Sequence, residues 1–541
     1  MTQMTGAQAL VKSIIQNGVD TIFGLPGVQL DHLFDAFYHE RDSLRLIQTR
    51  HEQGAAYMAF GYAQSTGRVG TCTVVPGPGL LNTGAGLCTA HGCGAPVLCV
   101  TGQIPSPFIG KGYGMLHEID DQMGTVRSIT KWQGRADHPG DAPRLIREAF
   151  KQLNTGRRRP VMVEMAPDVM AREVDVELLD PVKDYTEPEP DPDLIERAAK
   201  LLGNAERPGI FVGGGIYGAE EEVLHLAEAL QAPVFMSQHG LGAVDWRLYL
   251  AQNMLVAAEL WPKVDVALAV GTRFTMPMLN WGHDDEIKLI RVDPDPAQSV
   301  EAWEPDVHIA ATGKKALGVL VDRIARHNRK RPSREEELKN LKMGAAKDLA
   351  EQLKPQHEYT MAIRNRLPED GIACLGVTQL GFYSWLGFPT YRPRTMIQPG
   401  YQGTLGYSFP TALGAKIGNP DKAVVCIVGD GGFMFNVQEM ATAALHKINL
   451  VTILFNDNAF GNVRRTQKEV YGGRIIGSDL KNPDFMKLAD SFGVMGLRAD
   501  SPEKLGPALD EAFKADAPAL IEVKFREFPA WKKFQPLKKL R

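Results

Sequence analysis

The chain has 541 residues, 44% hydrophobic and 23% charged, with 60 Lys and Arg against 64 Asp and Glu. At roughly 100–200 residues per domain, that length predicts about three domains, each large enough to bury a core without disulfides. The net charge of −4 excludes the concentrated basic surface of a nucleic-acid binder, and the apolar content excludes a disordered chain.

The opening residues, Met1–Asp20, carry an amphipathic helix pattern with no signal-peptide succession, so a cytoplasmic location is expected. Strands are predicted at Thr21–Phe23, Leu44–Ile47, Gly70–Val75, Val97–Thr101 and Val161–Glu164. From Val69 to Gly110 there are 42 residues without Asp, Glu, Lys or Arg, more than a membrane span needs. Nine glycines and five prolines interrupt them, so the stretch reads as strand, loop, helix and strand, and a membrane role is not expected. Such a stretch is either an interface or cofactor wall, or a plain α/β core.

The polar, proline-rich run Asp180–Pro192 reads as a linker. A second series follows, with strands at Gly209–Val212, Val234–Met236, Val266–Val270 and Lys288–Val292, ending near Ala325. Charge-dense Arg326–Lys339 reads as another linker, with a polar helix running on to about Leu353. The third series begins near Gln356, with strands at Ile372–Leu375, Ala423–Val428, Leu450–Phe455 and Ala519–Val523. The fold class is therefore α/β: three tandem doubly wound domains with parallel sheets, bounded at about 1–180, 190–330 and 355–541. The six cysteines (Cys72, Cys88, Cys93, Cys99, Cys374, Cys426) form no CxxC pair and read as reduced core residues.

The most informative stretch runs from Ala423 through Gly429-Asp430-Gly431-Gly432, with a second strand ending at Asn456. In a parallel βαβ unit the C-terminal ends of both strands share one edge, where ligands bind. Asp430 and Asn456 can converge there. With a backbone carbonyl near Asn458, they offer a hard cation only oxygen ligands, as Mg²⁺ prefers. The glycines let backbone N–H groups approach a phosphate. Asn436-x-x-Glu439 reads as a capping-box start for the helix that follows.

Gly429-Asp430-Gly431 with Asn456 resembles the cofactor motif of thiamine-diphosphate-dependent enzymes, and the order of the other segments resembles the acetolactate synthase and benzaldehyde lyase group. The likeness covers nearly the whole chain. It includes Phe23–Gly27, Arg50–Gly54, Pro76–Gly79, Gly376–Gln379, Gly403–Gly406 and Asn458–Val463. It implies a pyrimidine-binding domain, a central nucleotide-fold domain and a diphosphate-binding domain.

The same resemblance implies roles. Glu52 matches the glutamate that bonds the aminopyrimidine ring and exchanges the proton that leads to deprotonation of the thiazolium carbon, work that suits a dry pocket. Gly403 matches the carbonyl that accepts from the 4′-amino group, and Leu405 the apolar wedge that bends the cofactor. Asn82 would line the cofactor. Thr378, Gln379, Gly429, Asp430, Gly431, Gly432, Asn456, Asn458, Phe460 and Gly461 fall at the diphosphate and its Mg²⁺, with Asp430, Asn456 and Asn458 at the metal. Because the two cofactor ends bind different subunits in that family, a homodimer or homotetramer is implied.

The substrate side departs from well-known members. Val28 and Gln29 follow Gly27, where benzaldehyde lyase-like proteins carry a small residue and a histidine. Gln29 is no base, but it can hydrogen-bond a carboxylate or carbonyl. His117 in Leu116-His117-Glu118 stands where acetolactate synthases show glutamine, and it is a candidate acid/base. The region lacks the adjacent His-His pair of aldehyde-releasing pyruvate decarboxylases. Gly213–Gly215, Ser237–Gly242 and Gly271–Phe274 resemble FAD-binding positions, although flavin-free lyases keep similar glycines. The tail Phe528–Arg541, with five basic residues, reads as a solvated or lid-like segment.

These readings imply acetolactate-synthase-like decarboxylation of a 2-oxo acid with carboligation. A lyase of 2-hydroxy ketones or acyl-CoA substrates and an inactive regulatory paralogue are the competitors.

Overall fold

The computed structural model describes residues 1–182, 185, 187–295, 303–530 and 537–541. Three six-stranded parallel sheets follow one another along the chain, each wrapped by helices on both faces. The first has the spatial order Arg45–Gln48, Thr21–Gly24, Gly70–Val74, Val97–Gly102, Val161–Met165, Trp132–Ala136. The second runs Ala251–Gln252, Val234–Met236, Gly209–Val212, Val266–Val270, Lys288–Val292, Val307–Ile309. The third runs Met396–Ile397, Ile372–Leu375, Val424–Gly429, Val451–Asn456, Ala519–Lys524, Met495–Arg498. Central strands such as Val424–Gly429 are unbroken apolar runs because both faces are covered, whereas edge strand Met495–Arg498 alternates between half-buried and exposed.

Two elements differ from expectation. Thr2–Thr5 is not helical but pairs antiparallel with Glu173–Val176, and the helix starts at Gly6 behind a Thr5–Gln8 capping box. The linker expected at Arg326–Lys339 is helical from Glu335, where Glu335, Glu336 and Glu337 fill the first turn of Glu335–Gln352 and favour its positive N-terminal end. The Asp180–Pro192 linker and the basic tail lie partly outside the described residues. All six cysteines are free, although Cys72–Cys99 and Cys374–Cys426 sit in register on neighbouring strands. Among the described residues no helix is long and apolar enough to cross a membrane.

The first and third domains meet through helices Glu52–Thr66 and Ser408–Gly418. Their approach requires glycine: a Cβ on Gly61 would lie 1.9 Å from the Thr411 carbonyl oxygen, and one on Gly414 would lie 1.9 Å from that of Met58. This crossing fixes the helix that carries Glu52 against the domain that carries Asp430.

Candidate active site

In the third domain, three strands deliver their C-terminal ends to one edge: Ile372–Leu375 leads into Gly376–Thr378, Val424–Gly429 into Asp430, and Val451–Asn456 into Asn458. Thr378 caps helix Gln379–Gly387, its hydroxyl accepting from the Gly381 N–H at 3.0 Å, and the Gln379 amide meets that of Asn462. A narrow cavity is lined by Gly376, Thr378, Leu405, Ser408, Gly429 and Gly432. Gly403 lies just ahead of it in a left-handed conformation, φ 52°. Phe460 packs over Gly431, where a Cβ would come within 2.6 Å of the ring, and Gly461 starts the next helix beside Asp457.

Asp430 and Asn456 are both buried and their oxygens converge. The carboxamide nitrogen of Asn482 lies 2.6 Å from Asp430 Oδ2, 3.0 Å from Asn456 Oδ1 and 3.2 Å from Asn458 Oδ1. The amide of Asn456 is oriented from behind, its Nδ2 donating to the buried Glu522 at 2.8 Å, which leaves Oδ1 facing Asp430. Asn458 has φ 54°, and its carbonyl accepts from the Leu480 N–H at 2.8 Å. Burial pushes the Asp430 carboxyl up, and burial together with the Asp430 charge pushes Asp457 up to about 6. Neighbouring carboxylates beside amide oxygens are a donor set that fits a hard divalent cation, which relieves their repulsion.

In the first domain the sheet edge carries two further pairs. Asn82 Nδ2 donates to Glu52 Oε2 at 3.0 Å, and the Glu52 side chain is only 15% exposed. Gln29 is 8% exposed, which rules out a free surface glutamine. Its Nε2 donates to the Leu116 carbonyl at 2.7 Å, so its Oε1 accepts from His117 Nδ1 at 2.6 Å. That contact leaves His117 Nε2 as the ring's remaining polar atom. Gln29 and His117 both have positive φ, 75° and 68°, a conformation costly for side-chain-bearing residues and most often retained at functional sites. Gly77, itself at φ 58°, admits this loop, since a Cβ there would lie 2.3 Å from the His117 carbonyl oxygen.

The capping box expected at Asn436–Glu439 does not form. Asn436 makes no side-chain cap; its Nδ2 donates to the Gly406 carbonyl at 2.8 Å and to Gln53 Oε1 at 3.1 Å. Glu439 instead reaches the first domain, accepting from the backbone N–H groups of Arg50 and His51. The tertiary partner offers unpaired helix-start donors, which outcompete the local cap.

The description "Thiamine pyrophosphate enzyme, N-terminal TPP binding domain" matches residues 4–125, the central domain of the same family matches 195–320, and its C-terminal TPP binding domain matches 376–523. A probable acetolactate synthase large subunit of Methanococcus aeolicus is 32% identical, covering 96% of this chain and 92% of the relative. One from Methanocaldococcus jannaschii is 34% identical with the same coverage. A probable 2-ketoarginine decarboxylase of Pseudomonas aeruginosa is 32% identical over 96% of this chain and 94% of its own length. The chain belongs to the thiamine-pyrophosphate enzymes. Within that family it stands in the acetolactate-synthase-like group.

The central domain of this thiamine-pyrophosphate enzyme keeps its glycines for packing as much as for any ligand. Gly215 N–H donates to the Gly271 carbonyl at 3.1 Å, and a Cβ on Gly271 would lie 2.4 Å from Gly215 Cα. Strands Gly209–Val212 and Val266–Val270 are neighbours at the point where strand order reverses, the usual site of a nucleotide crevice. Arg273 stacks on Tyr401 there, 4.0 Å from the ring centre.

Sequence reading gave Glu439 a local cap instead of its contact with the first domain, and missed Asn482 and Glu522. Glu522 carried a signal, a carboxylate within the apolar strand run Ala519–Val523. Asn482 carried none, because only the fold returns it to Asp430.

Proposed function

We propose that this thiamine-diphosphate-dependent enzyme decarboxylates a 2-oxo acid and joins the remaining acyl unit to a second carbonyl, as an acetolactate synthase does. The observation that carries the reading is the pair of half-sites at matching sheet edges, Glu52 with Asn82 in one domain and Asp430 with Asn456 in the other. When bound, thiamine diphosphate supplies a nucleophilic carbon and takes up the electron pair released with CO₂.

The protein's share is positioning and proton handling. In this reading residues 1–180 form the pyrimidine domain and 355–541 the diphosphate domain, with 190–330 between them. Glu52, held by Asn82, exchanges a proton with the pyrimidine ring. The Gly403 carbonyl and the Leu405 side chain set that ring's place. Asp430, Asn456 and Asn458 hold Mg²⁺, while Thr378, Gln379, Gly429, Gly431, Gly432, Phe460 and Gly461 surround the diphosphate. Gln29 orients His117, whose Nε2 faces substrate as hydrogen-bond partner and proton carrier.

Each half-site is hydrogen-bonded within its own domain. Apolar side chains stand exposed beside both: Val28, Leu81 and Leu116 near the first, Phe435 near the second. This supports a homodimer or homotetramer, with each site completed by a second copy; the proposed location is the cytoplasm. The crevice of the central domain is the proposed place for FAD, which the visible absorption of the purified protein decides.

The test is product analysis with Mg²⁺, thiamine diphosphate and pyruvate. Acetolactate is the expected product. Simple decarboxylation is the second reading, favoured by the likeness to the 2-ketoarginine decarboxylase, and free aldehyde without acetolactate would establish it. Cleavage of benzoin would point to a lyase. No turnover of any 2-oxo acid, 2-hydroxy ketone or acyl-CoA substrate, with cofactor bound, would leave a regulatory paralogue.

A further inference from the structure

Asn482 opens the turn Asn482-Pro483-Asp484 ahead of helix Phe485–Ser491. Its Nδ2 faces three oxygens, those of Asp430, Asn456 and Asn458, at 2.6, 3.0 and 3.2 Å. A carboxamide carries two N–H hydrogens, so the two shorter contacts are its full hydrogen bonds. A nitrogen donor is no ligand for a hard cation, which takes oxygen. Asn482 therefore acts on the ligands rather than as one of them.

We propose that Asn482 is a positioning residue for the divalent cation, tying the Asp430 carboxylate to the Asn456 amide oxygen so that the ligand set is assembled before the cation arrives. The inference rests on the reading of Asp430 and Asn456 as cation ligands. The Asn458 backbone N–H also donates to Asn456 Oδ1 at 3.2 Å and hydrogen-bonds the Asp430 carboxylate; beyond that shared backbone contact the two are held from different directions. Asn456 is anchored from behind by Glu522, which in turn accepts from Arg498 Nε at 3.1 Å. Asp430 stands on the short helix Asp430–Phe433, beside a second carboxylate, Asp457. Asn482 is the side chain that hydrogen-bonds both ligands at once. Groups that orient metal ligands in this way typically contribute 10–100-fold to metal affinity.

The experiment uses the full chain stripped with EDTA and titrated with Mn²⁺ at saturating thiamine diphosphate, free Mn²⁺ being read by electron paramagnetic resonance. Asn482→Ala is expected to raise the Mn²⁺ dissociation constant about 10–100-fold, while the thermal midpoint of the stripped protein stays near wild type. Asn482→Ser, which keeps one O–H donor, is expected to fall between wild type and Asn482→Ala, and it serves if the alanine variant fails to fold. Asp430→Ala is the control and is expected to abolish binding. Wild-type or tighter Mn²⁺ affinity in Asn482→Ala, with binding abolished in Asp430→Ala, overturns the positioning role alone. Unchanged binding in Asp430→Ala overturns the cation-site reading with it.

Discussion

Glu439 accepts the backbone N–H of His51 at 3.0 Å, so a buried carboxylate of the third domain holds the start of the first-domain helix that carries Glu52. The same carboxylate accepts from Arg50 N–H at 3.2 Å and from the Thr442 hydroxyl at 2.7 Å. The backbone donors precede the first turn of Glu52–Thr66, where a helix leaves N–H groups unpaired and favours negative charge. Gly54 makes room, since a Cβ there would lie 2.4 Å from Glu439 Oε1.

Burial pushes the Glu439 carboxyl up from 4.5 to about 7. Between those values the unfolded chain has lost a proton that the folded protein keeps, so this group lowers stability as pH rises through the window. Glu439→Gln removes the titration. Relative to wild type, the variant is expected to gain the equivalent of about 2–3 kcal/mol between pH 5 and pH 8. Thermal unfolding at the two pH values reads the change, and a gap between the proteins that stays constant with pH would contradict it.

Gly61 and Gly414 define the helix crossing beside that clamp. Gly61→Ala forces a methyl against the Thr411 carbonyl and is expected to cost about 1–3 kcal/mol as overpacking. A lowered thermal midpoint checks this, with Gly344→Ala in the helix Glu335–Gln352, where the surrounding space is open, as the control.

Glu52→Gln keeps the shape of the side chain and its contact with Asn82 but removes the carboxylate. If Glu52 handles the ring proton, turnover of the 2-oxo acid falls about 10²–10⁴-fold. Mn²⁺ binding at saturating thiamine diphosphate should stay at the wild-type value. Near-wild-type turnover would remove Glu52 from the proton path.

Gln29→Leu leaves the His117 ring and the Leu116 carbonyl without their common partner. Of the two hydrogen bonds lost, the one that orients His117 is the one felt by substrate, and at about 1 kcal/mol it predicts a rise of about fivefold in KM for the 2-oxo acid. Steady-state kinetics separates this from a stability defect, provided the thermal midpoint is unchanged.

Much of the architecture was legible in the residues because parallel strands buried on both faces must be apolar runs, and each sheet is built from them. The GDGG turn and Asn456 were legible for the same reason: a strand end and a turn are local, and parallel pairing sends both to one edge. The Asn436–Glu439 cap was misread because its spacing satisfied a local rule while its side chains found better partners in another domain. Asn482 was invisible, since nothing in Lys481-Asn482-Pro483 marks it until the fold returns it to Asp430. By itself the sequence determined the strands, the glycine turns and which polar side chains stand at the strand ends, all consequences of short-range geometry. Only the tertiary structure decided which carboxylate clamps which helix and which amide joins Asp430 to Asn456, because unpaired N–H groups and converging oxygens take their partners from whatever the packed chain brings within about 3 Å.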